Sequence, residues 1–141
     1  MAVPDASLPD QYYNYLVNIV KTADAYIDYY QVQAYNDWYE FPGGSLQYLQ
    51  NVYLNWRNLQ GMSQWGSTPI ANFAGVKGSK LVMGVLGSQG GGSGYYCSET
   101  VLGQFKEWLK GNNYEVRGFM IWNSKLDAAN LRAVSSKVVA P

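Results

Sequence analysis

Apolar and polar positions along the chain follow two alternating rhythms. In "SLPDQYYNYLVNIVKTA" the apolar positions recur at helical spacing, so Tyr12, Leu16, Ile19, Val20 and Ala23 share one face. Ser7 can cap that helix, and Pro9 suits its first turn. "YIDYYQVQAY" then reads as a strand, with Gln31, Gln33 and Tyr35 on one face and Tyr30, Val32 and Ala34 on the other. "FPGG" breaks the chain. "SLQYLQNVYLNW" returns to helical spacing through Leu46, Leu49, Val52, Tyr53 and Trp56, and a loop runs from about Gly61 to Gly78.

The second half repeats the scheme. "KLVMGVLG" is a continuous apolar run of the kind that forms a strand buried on both faces. "SQGGGSG" is a loop. "SETVLGQFKEWLKG" predicts a helix closed by Gly111, with Val101, Leu102, Phe105, Trp108 and Leu109 turned inward. "VRGFMIW" predicts a third strand. "DAANLRAVSSKVV" predicts a last helix that buries Leu131, Val134 and Val138. The order is α-β-α-β-α-β-α, which calls for parallel strands joined by helical crossovers. A doubly wound sheet can be built from such a set. So can part of a (β/α)8 barrel, which takes about 250 residues in full. The 141 residues suffice for one domain, 1–141.

Composition narrows the function. Ten basic residues balance ten acidic ones, which leaves no electrostatic footprint for nucleic acid or an anionic membrane surface. No apolar run is long enough to span a bilayer. "MAVPDASLPD" has neither the basic start nor the apolar run of a signal peptide. There is no histidine, so no histidine-based triad or zinc site can be assembled, and no metal or cofactor is expected. Cys97 is the one cysteine; it has no base partner in the chain and reads as inert. Aromatic residues make up 16% of the chain, and side chains of this kind suit sugar faces.

Two apparent motifs fail on inspection. Asp37 and Glu40 resemble a carboxylate pair, but they fall on a loop after the strand and read as solvated charges. "GSQGGGSG" suggests a phosphate cradle, yet it lacks Gly-Lys-Ser/Thr and no register supplies GxGxxG.

Three segments in order resemble the C-terminal half of a glycoside hydrolase family 18 barrel, in particular the compact class III chitinases. "VQAYN" supplies Gln33, Tyr35 and Asn36 of a Gln-x-Tyr-Asn strand end. "KLVMGVLGSQGGGSGY" is similar to the seventh strand with its small-residue loop. "GFMIWNSKLD" supplies Gly118, Met120 and Trp122 of a Gly-x-Met-x-Trp eighth strand. The opening "MAVPDASLPDQYY" is similar to the end of the fifth strand and the helix after it. The resemblance thus implies α/β architecture, with strands six to eight and flanking helices of a (β/α)8 barrel, about half of the whole. Strands one to four would lie outside the chain, and Met1 would be a strand residue.

The same resemblance implies a function. The family cleaves β-1,4 bonds between N-acetylglucosamine units with retention, and the substrate's own acetamido oxygen is the nucleophile. Tyr35 would hold the acetamido carbonyl, and Trp122 would floor the sugar subsite. Gln33 would contact a catalytic carboxylate or the sugar, Asn36 a sugar hydroxyl. Trp38 would either extend the sugar platform or cover the rim, and Met120 would line the subsite. The family's Asp-x-x-Asp-x-Asp-x-Glu signature is absent: in "DAYIDYYQ", Ile27 and Tyr29 stand where the second and third Asp belong and Gln31 where the Glu belongs. The chain alone is therefore expected not to hydrolyse chitin. The expected partners are chitin or another N-acetylglucosamine glycan, and either the missing N-terminal half-barrel or a second copy. A glycan-binding protein without catalysis, or part of an endo-β-N-acetylglucosaminidase, are the alternatives. An extracellular location follows from the resemblance.

Overall fold

The computed structural model describes residues 2–4, 18–35, 44–58, 75–91 and 96–139. Four strands, β1 (Ala2–Pro4), β2 (Tyr30–Gln33), β3 (Leu81–Leu86) and β4 (Gly118–Trp122), form one parallel sheet in the order β1-β2-β3-β4. Residues 18–23 are the described part of helix α1. Helices α2 (Leu46–Asn58) and α3 (Glu99–Gly111) cross from β2 to β3 and from β3 to β4. After β4 come α4 (Ser124–Ala129) and α5 (Ala133–Val139). Spatial order equals chain order, so the sheet has no point where strand order reverses. That feature separates barrel-type winding from the doubly wound fold.

Alternation along the strands divides the sheet into two faces. Tyr30, Val32, Leu81, Met83 and Val85 are wholly buried against the helices. Phe119 and Ile121 of β4 pack against the same core. The helices supply Leu49, Val52, Trp56, Leu102, Phe105 and Val134. The other, inner face holds Gln31 and Gln33, Val82 and Gly84, then Gly118, Met120 and Trp122. Pairing aligns these in rows, Gln31–Val82–Gly118 and Gln33–Gly84–Met120, with Leu86 opposite Trp122. Layers of this kind fill the interior of a (β/α)8 barrel.

Several expectations are corrected by tertiary contacts. The strand expected from Tyr26 begins only at Tyr30, because residues 24–26 form a 3-10 turn held from two sides. Lys80 Nζ lies 3.1 Å from the Asp24 carboxylate and donates to its carbonyl, and the Tyr30 hydroxyl donates to Asp24 Oδ1 at 3.0 Å. In α1, Val20 reaches the core, whereas Ile19, one step round the helix, is 52% exposed. Helix α3 does end at Gly111, but the left-handed residue beyond it is Asn113, with φ 54°.

The last helix is two helices. Leu131 and Arg132 take positive φ, and Leu131 points into water rather than the core. The break is stabilised by Asp127, whose Oδ1 accepts from the backbone N–H groups of Val134 and Ser135 at 3.2 and 3.1 Å. A buried carboxylate thereby satisfies the free donors at the start of α5, as an N-cap would.

Candidate functional site

In a barrel of parallel strands the side chains that act stand at the C-terminal strand ends. At that end of the sheet two aromatic residues meet. Tyr35 follows β2 by two residues, and Trp122 closes β4. Their rings stack with centroids 6.3 Å apart and planes 18° from parallel. They reach each other across β3, which lies between their strands.

The two rings differ in exposure. Tyr35 is only 4% exposed, while Trp122 is 50% exposed and offers its indole to solvent. Burial raises the Tyr35 phenol above its ordinary value, so it stays protonated and can donate a hydrogen bond. Among the described residues its hydroxyl has no hydrogen-bond partner. A phenol held there can donate to a ligand acceptor.

The carbonyl of Trp122 accepts from the Gly87 N–H at 2.8 Å, which ties the end of β4 to the end of β3. The carbonyl of Gly87 in turn accepts from Asn130 Nδ2 at 3.2 Å, and the same amide donates to the Tyr96 hydroxyl at 3.0 Å. The turn between α4 and α5 is thus bound to the rim of the site. The peptide bond between Trp122 and Asn123 is cis, and Asn123 caps α4 by accepting from the Leu126 N–H.

Of the predicted residues, Tyr35, Gln33, Met120 and Trp122 come to one face and one end of the sheet. Gln33 and Met120 are half-buried and flank Gly84 in the row below the aromatic pair. Asn36 and Trp38 lie outside the described residues. Gly84, Gly87, Asn130 and Tyr96 were not singled out from the sequence. The only local signal was the pair of glycines in "MGVLG", because a glycine inside a strand marks close approach by a neighbour.

The carboxylates lie elsewhere among the described residues. Asp24, Asp28 and Glu115 precede strands and so belong to the opposite end of the sheet. Glu99 and Glu107 are exposed on α3, and Asp127 is occupied by α5. Cavities of about 520 and 500 Å³ open beside Leu109, Lys110 and Phe119, and beside Asp24, Arg57 and Gly78. Glu115 lines both, so both lie toward the end where strands begin, away from the aromatic pair. Among the described residues no group of His, Cys, Asp or Glu is arranged to hold a metal ion.

A parallel, sequentially wound sheet with an aromatic pair at its C-terminal end defines part of a (β/α) barrel. Comparison with solved structures identifies the barrel. The chain is similar to a protein assigned as chitinase A from Streptomyces coelicolor, with a TM-score of 0.69 and 20% identity over 98% of this chain. It is also similar to a GH18 chitinase from Pseudoalteromonas aurantia, with a TM-score of 0.62 and 17% identity over 94% of this chain. It spans about half of each, 48% and 45% of their lengths. The fold is therefore that of about half a glycoside hydrolase family 18 barrel. No family model and no curated protein matches the chain.

Proposed function

We propose that this chain is the C-terminal part of a chitinase-like glycoside hydrolase, and that it binds polymers of N-acetylglucosamine across the ends of β2 and β4. The observation that carries this reading is the Tyr35–Trp122 pair, a buried phenol beside an exposed indole. The phenol donates to the acetamido carbonyl and holds that oxygen still for its attack on the anomeric carbon. The indole covers the apolar face of a pyranose and excludes water from it. Gln33, Asn36, Trp38 and Met120 complete the subsite. In the complete barrel the β-1,4 bond breaks with retention, through the acetamido oxygen as nucleophile.

Hydrolysis also needs a proton donor within reach of the glycosidic oxygen. The carboxylates described above stand before strands, on α3, or bound to α5. The Asp-x-x-Asp-x-Asp-x-Glu signature that carries the donor is not in the sequence, so in this reading the donor comes from an N-terminal half-barrel, the expected partner, and the chain alone binds without cleaving. The same distribution of acids favours one second reading, a glycan-binding protein of this fold without catalysis. An extracellular setting is consistent with either.

Calorimetric titration with chitotetraose tests the binding. We expect saturable binding that Trp122→Ala weakens at least about tenfold, and a flat titration of the parent chain would sink the proposal. Adding an N-terminal half-barrel that carries Asp-x-x-Asp-x-Asp-x-Glu then separates the two readings. Chitin hydrolysis in the mixture supports the enzyme, and binding with no hydrolysis supports the lectin-like protein.

A further inference from the structure

We infer that Gly84 is a positioning residue that sets the geometry of the Tyr35–Trp122 pair. The inference rests on reading that pair as the glycan site, but its test does not need a glycan. Gly84 lies mid-strand on the inner face, between Gln33 and Met120 in register. A methyl group at this position would stand 2.8 Å from Met120 Cε, 3.3 Å from Tyr35 Cε1 and 2.7 Å from the carbonyl oxygen of Val32. The Val32 carbonyl belongs to the backbone and must shift to admit a methyl group, whereas Met120 Cε, the end of a flexible side chain, gives way more easily. Tyr35 and Met120 thus pack over a place from which a side chain is missing.

The displacement would run into the pair from both sides. On one side the Ala34 N–H donates to the Gly84 carbonyl at 2.9 Å, and Tyr35 is the next residue. Moving β2 away from Gly84 therefore moves the phenol. On the other side Met120 lies two residues before Trp122 on the same strand. Met120 yields by turning its flexible side chain on the inner face that it shares with Trp122, and the end of β4 is tied to β3 by the Gly87 N–H as well as by strand pairing. Strand stability does not account for the glycine, which is less favourable than alanine inside a strand. Every other residue of β3, Leu81 to Leu86, carries an apolar side chain. A glycine at this one position gives up packing and leaves room for Tyr35 and Met120 to meet.

The contribution of Trp122 to near-ultraviolet circular dichroism and fluorescence reports the pair directly. Subtracting the spectrum of Trp122→Phe isolates it from the other tryptophans. We expect Gly84→Ala to fold and to change that contribution by more than about half. Gly84→Ala combined with Met120→Ala should recover a large part of it, because the colliding Cε is gone. An unchanged Trp122 contribution in folded Gly84→Ala overturns the inference, and so does a folded double variant with no recovery. If Gly84→Ala does not fold, the double variant decides. A folded double variant with the parent's Trp122 contribution supports the positioning role. Failure of both to fold assigns Gly84 to packing between β2 and β3 and overturns it.

A chitotetraose titration runs in parallel. Where the parent chain binds, Gly84→Ala should weaken affinity about tenfold. A parent that does not bind, with a Trp122 contribution that still shifts in Gly84→Ala, removes the glycan reading and leaves the positioning role standing.

Discussion

The two faces of the sheet are covered to different degrees. On the helix side, Tyr30, Val32, Leu81, Met83 and Val85 have no exposed surface. On the inner side, Gln31, Gln33, Val82, Gly118 and Met120 are only half-buried, and Trp122 is half exposed. Parallel sheets are ordinarily covered on both faces. Among the described residues a complete layer covers the helix side alone. The inner face also carries the polar groups: among the described residues the amides of Gln31 and Gln33 have no hydrogen-bond partner. The helix side therefore holds the fold, and the proposed glycan site lies on the inner side. Substitutions on the first should cost stability, and those on the second should cost binding.

The sharpest separation is expected from Trp56. It is wholly buried between α2 and the sheet, with its ring centroid 5.8 Å from that of Tyr30. Trp56→Ala should cost about 3–5 kcal/mol, from the lost transfer energy plus the cavity left behind. That is a large part of the roughly 5–15 kcal/mol that holds a typical domain. Urea denaturation reads the effect as a fall in midpoint at constant slope. A drop no larger than that of an inner-face variant would erase the distinction between the faces.

A second test of the helix side uses pH. Burial pushes the Cys97 thiol up to about 12. In the unfolded chain the thiol ionises at its ordinary value, so above about pH 9 the unfolded state sheds a proton that the folded state keeps. A folded value raised above the unfolded one gives stability that is whole at neutral pH and falls as pH climbs. The loss approaches, as an upper bound, about 4 kcal/mol near pH 12. Tyr30, Tyr35 and Tyr53 are raised as well, chiefly by burial, so the decline should steepen once phenols begin to ionise. Urea midpoints followed from about pH 7 to about pH 11 should fall in the parent, and fall less in Cys97→Ala. Equal declines below the phenol range would mean that the thiol is hydrated in the folded protein.

How much of this was legible in the sequence depends on the range of the forces involved. The spacing of Leu49, Val52, Tyr53 and Trp56, and of Leu102, Phe105 and Leu109, predicted the faces of α2 and α3, and these residues are buried. Alternation in "YYQVQAY" separated Gln31 and Gln33 from Tyr30 and Val32, and the burial of β2 alternates accordingly. Local rules failed where a distant partner decides. The strand does not start at Tyr26 because Lys80, 56 positions away, binds Asp24. The final helix breaks because the Asp127 carboxylate reaches forward to the N–H groups of Val134 and Ser135. At the site, Tyr35 and Trp122 were read as separate strand-end residues with related roles. Their stacking could not be read, since it depends on register through β3 and on the missing side chain at Gly84.

The smallest expected effect on stability is on the inner face, and it completes the comparison. Trp122 is half exposed, and among the described residues its ring stacks on Tyr35. An aromatic pair contributes about 0.5–1.5 kcal/mol beyond its buried area, and a partly exposed ring forfeits some of that. Trp122→Ala should therefore lower stability by about 1 kcal/mol or less, well under the cost at Trp56. The same substitution should lower chitotetraose affinity at least about tenfold, since it removes the floor of the subsite. Trp122→Phe should leave stability unchanged and keep part of the affinity, because a smaller flat ring still covers some of the sugar. Should Trp122→Ala unfold the chain as readily as Trp56→Ala, the inner face would be a second core. The indole would then be structural, and the division of labour between the faces would fail.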